Sequence, residues 1–320
     1  MYPLLLQAPI KQYLWGGTRL ITDFGFSSPG DTAAEAWVLS CHKDGTCLVQ
    51  NGDRAGEPLS AVLANWGNAA LGRRAAAFTD FPLLIKLIDA RDRLSVQVHP
   101  DDDYARRVEG EYGKTEAWYI LDCEPDAELI LGFNRNVTVE EFKKAAQGDE
   151  MMSICNRVKV KKGDVFFIES GTMHAICKGI LLAEVQQNSN TTYRIYDYGR
   201  LGKDGKPREL HVDKAADVTK LCPPSIPDSS KREVEKFDNA SRSKLTSCDL
   251  FTMYELSVDG EYSSVCDEQS FVSLLCLEGS AEIECDGEKL MMKKGESIFI
   301  PANKGKFTIN GNVKILETRL

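Results

Sequence analysis

Residues 94–118 read LSVQVHPDDDYARRVEGEYGKTEAW, and the rest of the chain is best read outward from them. Apolar and polar residues alternate over 94–99, the period of a strand, so Gln97 and His99 share a face. Pro100 and three aspartates then stop the strand. The chain returns at Lys114-Thr115-Glu116 and runs into a second apolar strand over 117–121, with Lys114 and Glu116 again on one face. A third segment, GDVFFIESGTMHAI at 163–176, places His174 just after a tight Ser-Gly turn. Together these pieces offer one amide oxygen, two imidazoles and one carboxylate, with a lysine beside them. That set suits zinc or another borderline divalent ion. A single histidine next to a proline is more often structural than ligating. Of the four histidines (His42, His99, His174, His211), however, two sit in strand–turn contexts with polar partners at same-face spacing.

The 320 residues are enough for one large or two ordinary domains. With 39 basic and 48 acidic residues the formal charge is −9, which disfavours a nucleic-acid partner yet leaves room for an anionic substrate held by a few local cations. The ten cysteines form no C-x-x-C pair, and MYPLLLQAPIKQYLW lacks the charged start and long apolar run of a secretory signal. Reduced thiols in a cytoplasm are therefore expected. No uninterrupted apolar run approaches 18 residues, so no membrane helix is expected.

In chain order, a short strand is expected to lead into Trp15-Gly16-Gly17, followed by a strand over 34–40 with Glu35 at its start. Glu35 could line a site, but a solvated strand-end carboxylate is the default reading. Residues 57–78 have helical spacing, and 81–90 (FPLLIKLIDA) form an apolar run with one cation, Lys86, which either snorkels or points into a pocket. A short helix capped by an aspartate is expected over 101–109. Thr138 and Glu141 make a capping box for a helix over 138–147. Strands follow over 128–133, 157–168, 179–187 and 191–197. Residues 222–245, rich in Pro, Ser and charge, are the expected linker, and 246–320 return to short strands.

One internal similarity stands out. KKGDVFFIESGTMHA starts at Lys161 and KKGESIFIPANKGKF at Lys293, an offset of 293 − 161 = 132, and in this register His174 falls on Lys306. Two related β modules are expected, only the first keeping a ligand, with a small barrel or jelly roll as the architecture.

The set FPLLIKLIDA, LSVQVHPDD, KTEAWYIL, SGTMHAI and NSNTTYRIYDYGR, with WGGTRL and AEAWVLS ahead of it, resembles the type I mannose-6-phosphate isomerases in their short bacterial form, members of the cupin superfamily. The resemblance is strong over about 1–215 and weaker to the end. It implies a mainly β fold of two cupin-type modules: a catalytic domain over 1–221 with helical insertions, the linker over 222–245, and a module over 246–320 without metal ligands. It implies one Zn²⁺ per chain on Gln97, His99, Glu116 and His174. It also implies a catalytic Arg194 and Lys114, and Lys86, Ser95 and Arg194 as groups that bind the sugar phosphate. Lys114 is the candidate general base, the competing role being an ion-pair partner that orients Glu116. Arg194 would bind phosphate or stabilise an enediolate, the competing role being a surface salt bridge with Asp197. One position departs from the pattern. Many members carry an aspartate four residues before the arginine, and here Asn190 stands there, which cannot act as acid or base.

The implied reaction is the interconversion of mannose 6-phosphate and fructose 6-phosphate by proton transfer through an enediol. The protein would be a cytoplasmic monomer or small homo-oligomer. An Fe(II) cupin oxygenase fits less well, because Gln97 rather than a second histidine precedes His99. A non-catalytic sugar-phosphate-binding or regulatory cupin is the alternative, disfavoured by Lys114 and Arg194 beside the metal set. No phosphate-binding glycine loop of a kinase or dinucleotide enzyme is present.

Overall fold

A computed structural model of the chain describes residues 1–148, 150–202, 205–225 and 232–320. The molecule is mainly β, built on three large antiparallel sheets and one small hairpin. The six-stranded sheet carries, in spatial order, Val165–Ile168, Glu116–Cys123, Ile180–Gln187, Leu83–Ala90, Glu35–Leu39 and Ile10–Lys11. The five-stranded sheet carries Cys155–Lys159, Glu128–Phe133, His174–Ile176, Val96–Val98 and Tyr193–Tyr196. The nine-stranded sheet is formed mostly by the C-terminal part of the chain, and its long strands Thr252–Cys266, Val272–Cys285 and Gly305–Arg319 pair side by side. Leu4–Gln7 joins this last sheet by pairing with Ser297–Ile300, so the start of the chain is stitched into the C-terminal module. Phe81, Phe271 and Phe299 meet where the two halves pack, with ring centroids 5.0–6.2 Å apart.

The apolar runs become the central strands. Every residue of Leu83–Ala90 and of Ile180–Gln187 is buried, Lys86 and Glu184 included. The expected caps form as read: Asp101 accepts from the Tyr104 N–H at 2.9 Å, and Thr138 and Glu141 close a reciprocal box at the start of Val139–Gln147. The internal similarity also has a structural counterpart. Gly163 and Gly295 both turn at φ near +90°, and in each turn the acid three residues after the first lysine accepts from that lysine's backbone N–H, at 2.9 Å in both copies. His174 then opens a buried strand, whereas Lys306 is exposed.

Three expectations need correction. The helix expected over 57–78 ends at Trp66 and continues as two tight turns, because Gly67 and Gly72 adopt φ of +68° and +90°. Glu35 is not a solvated strand end: it is buried and accepts from the Trp37 indole N–H at 2.7 Å. A helix over Val212–Val218 went unread. The stretch expected as a linker lies partly outside the described residues (226–231), and its remainder contains the strands Val234–Phe237 and most of Ala240–Ser247. None of the described helices is long and apolar enough to cross a membrane. All ten cysteines are free.

Candidate metal centre and active site

The centre lies between the five-stranded and six-stranded sheets, and most of its groups sit at strand ends. Gln97 lies within Val96–Val98, and His99 follows where Pro100 ends the strand. Glu116 opens one strand and His174 opens another. Across the five-stranded sheet His174, Gln97 and Arg194 are successive register partners, so their side chains stand in one row on one face. From the facing sheet comes Glu116, with Trp118, Glu184, Lys86 and Trp37 forming a parallel row of register partners two residues away.

One donor atom from each of His99, Glu116 and His174 lies within 4.8 Å of the others, and all three residues are buried. The His99 and His174 rings are 4.8 Å apart, with the Trp118 indole edge-on to His174 at 5.2 Å. Each imidazole is held in a defined tautomer. His99 Nδ1 donates to the Thr191 carbonyl and His174 Nδ1 to the Thr172 carbonyl, both at 2.9 Å, which leaves the two Nε2 lone pairs turned to the centre. Burial drives His174 down to about 4 and His99 well below its ordinary value, so both are neutral at pH 7.

Glu116 Oε1 is buried without a hydrogen-bond donor and lies 3.3 Å from His174 Nε2. Burial, reinforced by the Glu184 carboxylate, raises the Glu116 carboxyl above its ordinary range. The Lys114 ammonium reaches His99 Nε2 and Glu116 Oε2, but Glu116 Oε1 and the His174 Nε2 lone pair face each other at 3.3 Å and repel unless a cation lies between. The donor chemistry therefore fits a divalent metal. Gln97 faces the same point, its Nε2 3.4 Å from His174 Nε2 and its Oε1 3.4 Å from the Ser95 hydroxyl. A half-turn of the amide exchanges these two and presents oxygen to the centre, with Ser95 accepting from the NH₂.

Lys114 Nζ is 2.9 Å from Glu116 Oε2 and 3.0 Å from His99 Nε2. It thus touches two of the candidate ligand residues directly. Arg194 is placed on the same sheet face as Gln97, and its guanidinium donates to the Glu209 carbonyl at 2.8 Å. It does not pair with Asp197, whose carboxylate is taken by Arg200 and Arg208, each at 2.5 Å. Lys86 lies in the next row, 2.9 Å from Glu184 and 4.0 Å from Glu35. Burial alone would depress Lys86, but Glu184 and Glu35 outweigh it and raise it, so it is a charged, paired cation.

Sequence reading missed Glu184. The signal was available, since a carboxylate inside GILLAEVQQ is as unusual as the lysine inside FPLLIKLIDA, and the two are partners. Asn190 donates to Asp44 at 2.8 Å. Thr191 Oγ1 meets Glu111 at 3.2 Å, on the rim of a cleft of about 690 Å³ lined by His42, Lys43, Glu111 and Asn188 but by none of the ligand residues.

Comparison with known proteins agrees with this geometry. The family model "Phosphomannose isomerase type I, catalytic domain" matches residues 4–134, and "Mannose-6-phosphate isomerase, cupin domain" matches residues 241–319. The chain is 41% identical over 319 residues to a Bacillus subtilis protein named probable mannose-6-phosphate isomerase GmuF, covering 98% of each chain. It is 35% identical to the mannose-6-phosphate isomerase of Streptococcus mutans, covering 99% of this chain and 98% of that one. The crystal structure of the Bacillus subtilis mannose 6-phosphate isomerase superposes with a TM-score of 0.92 at 34% identity, over the whole of both chains. With buried ligand-type residues, a lysine in contact with them and full-length kinship all in agreement, the chain belongs to the type I mannose-6-phosphate isomerases, enzymes of the cupin fold.

Proposed function

We propose that this protein is a zinc-dependent aldose–ketose isomerase that interconverts mannose 6-phosphate and fructose 6-phosphate. The observation that carries the metal requirement is the donorless Glu116 Oε1 3.3 Å from His174 Nε2, with His99 Nε2 in the same buried cluster. These three residues, with Gln97, would hold the ion. When bound, it supplies a fixed positive charge and Lewis acidity at the sugar oxygens where charge builds up as the C–H proton leaves.

The chain's own groups perform the proton traffic. Lys114 is the base for the proton moved between C1 and C2, since its amine reaches the centre on the same side as Glu116 and His99. Arg194, in the row of His174 and Gln97, neutralises the phosphate or the developing enediolate. Ser95 offers a hydroxyl beside Gln97, and Lys86, held by Glu184, adds positive charge to the sugar phosphate's surroundings. Asn190 leaves no carboxylate at its own position, and Asp44 stands against it.

In this reading residues 1–221 form the catalytic domain and 246–320 a module without metal ligands, with Leu4–Gln7 crossing over to complete the latter's sheet. The ten free cysteines and the absence of a helix fit to cross a membrane among the described residues support a cytoplasmic location. A coupled assay of mannose 6-phosphate conversion tests the proposal. Activity lost on chelation and restored by zinc supports it, and no activity with zinc, manganese or cobalt on folded protein overturns it.

A further inference from the structure

Gln187 ends the strand Ile180–Gln187, is 3% exposed, and touches neither the ligand atoms nor the Lys114 amine. Its contacts are nevertheless aimed at the segment that carries both. The Gln187 N–H donates to the Thr115 carbonyl at 3.1 Å, and its side-chain Oε1 accepts from the Thr115 N–H at 2.9 Å. Thr115 is thus gripped on both its backbone polar groups, and it is the residue between Lys114 and Glu116.

The other end of the Gln187 amide donates to Asp102 Oδ1 at 3.0 Å, and the same oxygen accepts from the Gly113 N–H at 2.7 Å. Asp102 opens the helix Asp102–Val108 just after His99-Pro100. A Cβ at Gly113 would strike the Asp101–Asp102 peptide, so the two segments lie backbone against backbone there. Gln186, Gln187's neighbour, donates to the carbonyls of Gln187 and Ser189, at 2.7 and 2.6 Å, and fixes the turn that delivers the Thr191 carbonyl to His99 Nδ1. The end of one strand therefore reaches both the Lys114–Glu116 segment and the orientation of His99.

We propose that Gln187 is a positioning residue of the metal centre: by clamping Thr115 to Asp102 it sets the spacing between the Lys114 amine, the Glu116 carboxylate and His99. A buried amide is suited to this task because one group supplies both an acceptor for the Thr115 N–H and a donor for a carboxylate. The inference rests on the reading of the site as a metal-dependent isomerase centre.

The test uses the full-length protein with zinc affinity measured by chelator competition, steady-state kinetics, and the melting of the metal-free protein. Gln187→Met keeps the volume and removes both contacts. It is expected to weaken zinc binding and lower kcat by about 10–100-fold, with KM changed less than about threefold. Gln187→Glu keeps the acceptor but sets a second carboxylate against Asp102, and is expected to fall in the same direction. Zinc affinity and kcat of Gln187→Met equal to wild type would overturn the inference, as would wild-type zinc affinity and kcat in Gln187→Glu, which remains decisive where Gln187→Met does not fold. A wild-type protein that binds no zinc and turns over no mannose 6-phosphate would overturn the isomerase reading itself, an outcome separate from wild-type activity that Gln187→Met leaves intact.

Discussion

Lys86 and Glu184 are register partners on adjacent central strands and meet at 2.9 Å, each about 5% exposed or less. Trp118 completes the group by donating from its indole to Glu184 at 2.8 Å. Removing one charge from such a pair leaves the other buried and uncompensated. Lys86→Met is therefore expected to lower stability by about 3–5 kcal/mol. Lys86→Met/Glu184→Gln, which removes the nearer stranded charge, leaves Glu35 and keeps an acceptor for Trp118, should regain part of that loss. Urea denaturation of the three proteins checks the ordering, and a double variant less stable than the single one would refute it.

Glu116→Gln tests the metal centre without touching the imidazoles. The change removes the only carboxylate among the ligands, and zinc affinity is expected to fall by about 100-fold or more. The metal-free protein is expected to melt lower than wild type, because Gln leaves the buried Lys114 ammonium without the carboxylate that it meets at 2.9 Å. Zinc content after dialysis and a melting curve in chelator read out the two halves.

Lys114→Met separates chemistry from metal binding. Turnover is expected to drop by about 10²–10⁴-fold as general-base catalysis is lost. Zinc should stay bound, since Lys114 donates no lone pair in the ligand set. Unchanged activity would remove Lys114 as the base.

Asp197 supplies a pH test away from the metal. Burial pushes its carboxyl up, but hydrogen bonds from Arg208 and Arg200 outweigh this and hold it below the ordinary range. A depressed carboxyl contributes stability that is fully present above the unfolded value of about 3.9 and is lost as pH falls through the lower folded value. Asp197→Asn is expected to cost about 2 kcal/mol at pH 7. The gap from wild type should close as pH drops below about 4. Melting curves across pH 2–7 would show it, and a gap that widens in acid would contradict the assignment.

The two copies of the glycine turn offer a matched pair. Both residues sit at φ near +90°, so alanine is strained at either. A Cβ at Gly163 meets nothing within 4 Å, whereas at Gly295 it lies 2.9 Å from the Phe24 carbonyl oxygen. Gly163→Ala is expected to cost about 1–2 kcal/mol, the price of the backbone conformation alone. Gly295→Ala should cost clearly more, and equal melting temperatures would show that the contact yields.

How far the site could be read in advance follows from what local pattern encodes. That Gln97, His99, Lys114, Glu116 and His174 come together could be read because each lies in or next to a short strand close to Pro, Gly or a run of aspartates, where period and punctuation fix the face. The caps at Asp101 and Thr138 were legible for the same reason. The burial of Glu35, the pairing of Lys86 with Glu184 and the clamp of Gln187 on Thr115 were not. Each depends on which strand lies next to which, and the partners stand 51 to 98 residues apart. The extra turns after Trp66 were hidden by an alanine-rich stretch whose helical pattern masks the two glycines that break it.

The pairing of Leu4–Gln7 with Ser297–Ile300 also bears on how the protein comes into being. Leu4–Gln7 finds one neighbour nearby, Leu48–Val49, but its other neighbour, Ser297–Ile300, is made only after nearly all the residues between them. Until then Leu4–Gln7 keeps one edge unpaired. A nascent chain growing at about 5–20 residues per second therefore holds that strand open for roughly 15–60 seconds before the fold can close around it.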